Sequence, residues 1–464
     1  MKRKRIKWFL LLVLIFAVGF LLTASMMNLL DENSGIVSNG IVGTETTIIL
    51  LVLMISVPVL LIVLLLVLIF AKNKPQTIEA TLDGVVKTGA SSPSSKAGEE
   101  EEEERGERFC MLSEIERNKA KLERNDYEKN VTLEEFCESF RNYASNELKL
   151  YYDISDIRRF IAGMAVSHII ILQGMSGTGK TSLAHAFGSY VDNMSTIIPV
   201  QPMWKERTDL VGYYNEFTKK FNETLLLEKM YEANYSNDIY ITVLDELNIA
   251  RVEYYFAEFL SLLELPDPDE RYLDVVSDKW PTDPAQLKDG RIKLSENMWF
   301  IGTANNDDST FAISDKVYDR AMILNLDNKC ERFTAPKTSK MRISYKKFNS
   351  LVKEAVEEYS ISTRNKKRLE QLDKYLIEHF HITFGNRIMK QINQYIPVYI
   401  ACGGAELEAL DDILSKKVMR KLETQNPIYL RNAAEGLVSY LDELFGTDTM
   451  SQCKAFIHRL ERNA

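Results

Sequence analysis

The sequence predicts an α/β fold: a parallel sheet flanked by helices, then a smaller helical domain, with two transmembrane helices in front. Three observations predict it. Between residues 168 and 305, short apolar runs alternate with helical stretches, the pattern of a parallel sheet covered on both faces. After about residue 335 the strand-like runs stop and the chain reads as helical. Near the start, Trp8–Leu30 and Thr46–Ala71 hold no charged residue over 23 and 26 positions, and a bilayer core takes only about 20 apolar residues as helix.

The first 74 residues are therefore expected to carry two spans, about 8–30 and 46–71. Lys2, Arg3, Lys4, Arg5 and Lys7 precede the first, Lys72 and Lys74 follow the second, and the loop between has Asp31, Glu32 and Glu45 but no Lys or Arg. That asymmetry predicts a multi-pass protein in the lipid bilayer with its N-terminus and the rest of the chain cytoplasmic. The competing reading of the first run is a cleaved secretory signal. "LLTASMM" is a poor cleavage site for that, and the second run would halt transfer in either case.

Residues 75–107 include "TGASSPSSKAGEEEEEERGER", small polar residues followed by six consecutive glutamates, Glu99–Glu104. Such a stretch cannot bury enough surface to order itself and reads as a flexible acidic linker. Residues 108–150 read as a helical connector, in which Thr132 and Glu135 form a capping box ahead of an amphipathic run. The main α/β domain is expected over 151–335, and the lid and C-terminal region over 336–464.

Charge narrows the function. The chain carries a formal net charge of −9, and its first 75 residues are basic, so the remainder is strongly acidic and gives no electrostatic indication of nucleic-acid binding. Cys110, Cys137, Cys330, Cys402 and Cys453 are widely spaced with no C-x-x-C, which argues against a zinc site or a disulfide framework.

The main chemical signal lies in "IIILQGMSGTGKTSLAHAFG". Gly174, Met175, Ser176, Gly177, Thr178, Gly179, Lys180 and Thr181 fit G-x-x-x-x-G-K-[ST] at every specified position, after a strand and before a helix. Glycines let the backbone fold around phosphates, and the helix that continues through Ser182 adds its positive end. Lys180 is expected to reach the β- and γ-phosphates and the Thr181 hydroxyl to ligate Mg²⁺. Downstream, "IYITVLDELN" delivers Asp245, expected to hold Mg²⁺, and Glu246, expected to act as general base on the attacking water. "NMWFIGTAN" brings Asn305 to the same edge. Arg320, fifteen residues on, could serve its own site or a neighbour's, or be a surface ion-pair residue.

Taken in order, these motifs resemble the AAA+ ATPases, in the branch of McrB, MoxR and dynein-related domains, over about residues 155–425. "GMSGTGKTSLA" resembles Walker A, "VLDELNIARVEYYF" Walker B with its helix, and "KLSENMWFIGTANN" a hairpin and sensor-1 strand. "FGNRIMKQI" resembles a sensor-2 helix and "ALDDILSKKVMRKLE" a lid segment. The resemblance implies a P-loop AAA+ ATPase working as a hexameric ring. Asn305 would be sensor 1, Arg387 the sensor-2 arginine contacting nucleotide, and Arg320 an arginine finger reaching the adjacent site. "DLVGYYNEFTKKF" and "QLKDGRIKL", the latter with an Asp289-Gly290 hairpin signal, would be inserted hairpins facing the ring centre. "NNDDST" after the sensor-1 strand and "YDRA" depart from the McrB pattern, so ATP is expected over GTP. The expected activity is a membrane-anchored, Mg²⁺-dependent ATPase that remodels or regulates a separately encoded partner, with defence as one setting. The alternatives are a GTP-driven restriction motor with a nuclease partner and a slowly hydrolysing, nucleotide-gated membrane scaffold.

Overall fold

The computed structural model describes residues 106–305, 310–327 and 330–463. In chain order the elements are α1 (Met111–Asn118), α2 (Leu133–Leu148), α3 (Ile154–Val166), β1 (Ile169–Gln173), α4 (Lys180–Tyr190), β2 (Thr196–Pro199), α5 (Thr208–Val211), β3 (Gly212–Asn215), β4 (Lys220–Glu223), α6 (Leu225–Ala233) and β5 (Tyr240–Asp245). Then come α7 (Val252–Tyr255), α8 (Ala257–Leu262), β6 (Tyr272–Asp274), β7 (Arg291–Lys293), β8 (Met298–Ala304), α9 (Asp315–Tyr318) and β9 (Met322–Asn325). The remainder is helical: α10 (Tyr345–Glu358), α11 (Thr363–Phe380), α12 (Gly385–Ala401), α13 (Glu406–Lys417), α14 (Pro427–Phe445) and α15 (Ser451–Asn463).

The main sheet has the order β2-β5-β8-β1-β9 with every pairing parallel. Side chains alternate along each strand, so each face feeds its own core. Ile170 and Leu172 of β1 join Trp299 and Ile301 of β8 in a core shared with α2, α3 and the lid helices. Ile169 and Ile171 join Met298 and Phe300 in a second core beneath α6, α7 and α8. Two antiparallel hairpins stand apart from the sheet, β3–β4 and β6–β7.

Local signals act as expected. Thr132 accepts from Glu135 N–H while Glu135 accepts from Thr132 N–H, the reciprocal cap of α2. Asp289 and Gly290 both adopt positive φ, 53° and 75°, and Lys288 and Arg291 bridge across them, a two-residue turn of the kind their types favour. The "RVEYYFAEFLSLLE" stretch forms two short helices, α7 and α8, divided at Phe256, whose φ of −109° and ψ of 5° leave the helical region.

The membrane expectation is corrected. The spans expected at about 8–30 and 46–71 lie outside the described residues, and no described helix is long and apolar enough to cross a membrane. The longest described helices, α11 and α14, bury one face in the lid and interrupt the other with charge, such as Arg431, Glu435 and Asp442 in α14. The fold supported by the described residues is the parallel α/β sheet with its helical lid; the two transmembrane helices, and with them the multi-pass membrane placement with a cytoplasmic ATPase, find no support among those residues.

Candidate functional site

The glycine-rich segment joins β1 to α4 at the carboxyl edge of the sheet, where parallel α/β folds place their ligands. Gly174 holds φ 146°, and a β-carbon there would lie 2.5 Å from Leu326 O. The loop is thus pressed against the end of β9, and only glycine fits. Met175, Ser176 and Gly177 are exposed, while Lys180 is buried. Lys180 Nζ donates to Gly174 O at 3.0 Å and Met175 O at 2.7 Å, inside its own loop. Burial pushes its pKa down, against the pull of Asp245 and Asp327. The Tyr152 hydroxyl, from the connector before α3, donates to Gly179 O at 3.1 Å and braces the loop from outside.

One oxygen organises the next layer. Asp245 Oδ1, at the end of β5, accepts from Thr181 Oγ1 and from Thr303 Oγ1, each at 2.8 Å. Thr303 Oγ1 in turn accepts from Glu246 N–H at 2.9 Å. Three elements (α4, β5 and β8) are thereby locked together. The donor set is oxygen only, a hydroxyl and a carboxylate, which suits a hard divalent cation that completes its shell with phosphate oxygens and water. No group of three or more His, Cys, Asp or Glu side chains that could hold a metal forms among the described residues; Thr181 and Asp245 are the residues here that would hold Mg²⁺.

Glu246 adopts φ 54° and ψ 47°, the left-handed region, where a non-glycine residue is disfavoured by about 1 kcal/mol. This bend carries its carboxylate out of line with β5. The side chain is exposed and has no hydrogen-bond or ion-pair partner among the described residues. Two residues on, Asn248 is 5 % exposed and its Nδ2 donates to Asn305 O at 3.0 Å and to Phe311 O at 3.3 Å. It ties the loop after β5 to the loop after β8. Its Oδ1 has no partner among the described residues. Sequence reasoning passed over Asn248; its place two residues after the Asp-Glu pair was the available signal.

Arg320 and Arg387 meet on one carboxylate. Arg320 Nη2 lies 2.7 Å from Glu264 Oε2, and Arg387 Nη2 lies 2.5 Å from Glu264 Oε1. Arg320 precedes β9, whereas the phosphate loop follows β1. The two strands are parallel, so the arginine stands at the opposite end of the sheet, separated from the loop by the roughly 13 Å length of a four-residue strand. Arg387, expected to contact nucleotide, shares the Glu264 carboxylate with Arg320.

Beside the phosphate loop opens a cleft of about 1080 Å³, lined on one side by Gln173, Asn248 and Asn305 and on the other by Arg420, Arg459 and Arg462 of the lid and the last helix. Arg420 lies 3.1 Å above the Tyr318 ring. Among the described residues Arg459 and Arg462 have no carboxylate partner. Nothing in the local sequence marked either.

A glycine loop at the head of a parallel sheet, with an Asp-Glu pair and a polar strand end beside it, defines a nucleotide-hydrolysing enzyme. The comparisons agree: residues 169–321 match the family model of the AAA domain, dynein-related subfamily. The chain thus carries an AAA domain and is a nucleoside triphosphatase. Residues 336–464 match a domain of unknown function (DUF8727). The chain is 23% identical over 342 residues to a Lon protease of Mycoplasma mobile, an alignment covering 73% of this chain and 34% of that protein, so it spans about a third of the relative's length. A solved structure of a proposed ATPase from Cytophaga hutchinsonii aligns with 71% of this chain and 96% of its own, at 15% identity and a TM-score of 0.43.

Proposed function

We propose that this chain is a Mg²⁺-dependent ATPase that hydrolyses ATP in a ring, hexameric as is usual for such domains, and uses it to remodel a separately encoded protein partner. The observation that carries the reading is the separation of Arg320 and Arg387 from the phosphate loop of their own chain. Two arginines joined at Glu264 are poised to serve the site of a neighbouring copy, so that each site is completed only on assembly.

In this reading Lys180 leaves its two loop carbonyls to contact the β- and γ-phosphates. Thr181 and Asp245 would hold Mg²⁺, which when bound would supply positive charge against that of the phosphates. Glu246 accepts a proton from the attacking water as the new P–O bond forms at the γ-phosphorus and the bond to the β–γ bridging oxygen breaks. Asn305, its loop held by Asn248, orients that water. Arg320 and Arg387 of the next subunit stabilise the charge spread over the transferring phosphoryl group. The β3–β4 hairpin ends in Phe217, which is 99% exposed. A fully exposed aromatic at the tip of a hairpin suits gripping an extended partner segment.

The test is subunit mixing. Glu246→Gln is expected to keep ATP binding and to lose about 10²- to 10⁴-fold in kcat, and Arg320→Ala to be similarly inactive. Mixed in one ring they should regain activity, since a site with an intact Glu246 then meets an intact Arg320. Assembled mixtures that stay inactive would refute the shared site. GTP in the same assay tests the choice of fuel.

A further inference from the structure

We propose that Lys417 is a positioning residue for Arg320, through which the lid sets the reach of the arginine into the neighbouring site; this rests on the reading of Arg320 as a residue that acts between subunits. Lys417 closes α13 and is 4% exposed. Its Nζ donates to Tyr318 O at 2.7 Å and to Ala321 O at 2.5 Å, and lies 3.4 Å from Asp319 O. These three carbonyls bracket Arg320 on both sides. Tyr318 and Asp319 are the last residue and the C-cap of α9, a four-residue helix whose last carbonyls have no partner within the helix, and Ala321 directly precedes β9.

Burying an amine is unfavourable unless its donors are used, and an apolar side chain of similar length would fill the same space. What it could not do is hold the backbone on either side of Arg320. Gln391 of α12 adds a second grip from the lid, donating from Nε2 to Asp319 O at 3.2 Å. The guanidinium end is held from the lid as well, because Glu264 is shared with Arg387 at the start of α12. Backbone and side chain of Arg320 are therefore both fixed to α12 and α13. A lid that shifts when nucleotide enters its own cleft, which Lys416 and Arg420 also line, would carry Arg320 with it.

The full chain carrying Lys417→Met is expected to lose at least about tenfold in kcat while KM for ATP stays within about twofold, because Lys417 touches no nucleotide of its own subunit. Mixed with Glu246→Gln subunits it should regain activity as Arg320→Ala does, since its own site is intact and the neighbour lends a well-placed arginine. Recovery of Arg320→Ala without recovery of Lys417→Met would overturn the positioning role and leave the shared site standing. Failure of both, in verified rings, would overturn the shared site and the positioning role with it. Should Lys417→Met not assemble, Gln391→Ala carries the test: a kcat reduced about two- to fivefold and restored by mixing supports the lid's grip on Arg320, and an unchanged kcat refutes it.

Discussion

Arg387 Nη2 lies 2.5 Å from Glu264 Oε1, and the other oxygen of that carboxylate holds Arg320. The pairing places Arg387 beside Arg320, and under the proposed shared site both would serve the neighbouring nucleotide. The position of Arg387 in "FGNRIMKQI" marked it as a nucleotide-contacting arginine, and the fold sets it on the carboxylate that also holds Arg320. Arg387 is half exposed and Glu264 about a third, so solvent screens the pair and its contribution to stability is below about 1 kcal/mol. Its value is placement.

Arg387→Ala is therefore expected to leave binding of a fluorescent ATP analogue to dilute, unassembled subunits unchanged. Turnover of the assembled protein should fall about 10- to 100-fold and recover on mixing with Glu246→Gln. A five-fold or greater loss of binding by the unassembled variant would return Arg387 to its own nucleotide.

The phosphate loop offers a stability test with an internal control. Gly174→Ala would force a β-carbon to within 2.5 Å of the Leu326 carbonyl oxygen at φ 146°. Neither partner is a flexible side chain, so backbone must move, and about 2–4 kcal/mol of destabilisation is expected together with loss of ATP binding. Gly177→Ala meets nothing within 4 Å at φ 80° and should cost only about 1 kcal/mol. Thermal denaturation of the two variants checks the difference; equal shifts would mean that strain at φ, and not contact with β9, sets the requirement at 174.

Legibility in the sequence followed locality. The Gly-Lys-Thr loop, the Asp245–Glu246 pair, the Thr132 cap and the Asp289–Gly290 turn are short-range patterns, and four of the five main-sheet strands stood out as apolar runs. The fifth, β9, has only Met322–Asn325 and follows α9 with no turn signal, so "MILN" did not register. Contacts across long sequence separations left no mark. Glu264 joins residues 56 and 123 positions away, Lys417 reaches carbonyls almost a hundred positions away, and Arg459 and Arg462 face the cleft from the last helix. Such pairings depend on how α12, α13 and α15 pack, which periodicity alone does not specify. The apolar runs near the start were read as spans on length and charge, and none of the described helices answers to that reading.

Lys417 makes the final prediction, one of pH. Burial pushes its amine down to about 7 from the usual 10.5; Asp319 pulls it up and Arg387 and Arg420 push it further down. Between about pH 7 and pH 10.5 the unfolded chain holds a proton here that the folded chain has released, so stability rises with pH across this window. Below about pH 7 both states are protonated and the full penalty of the buried charge is present. Relative to Lys417→Met, which has no such group, the wild type should therefore gain on the order of 3 kcal/mol as pH is raised from 7 to 10. Denaturant unfolding of both proteins at a series of pH values measures the difference. The carbonyls of Tyr318 and Ala321 can accept from ammonium or neutral amine alike, so the grip on the Arg320 segment persists through the titration. A difference that stays flat over this range would mean that the three carbonyls hold the ammonium charged against its burial.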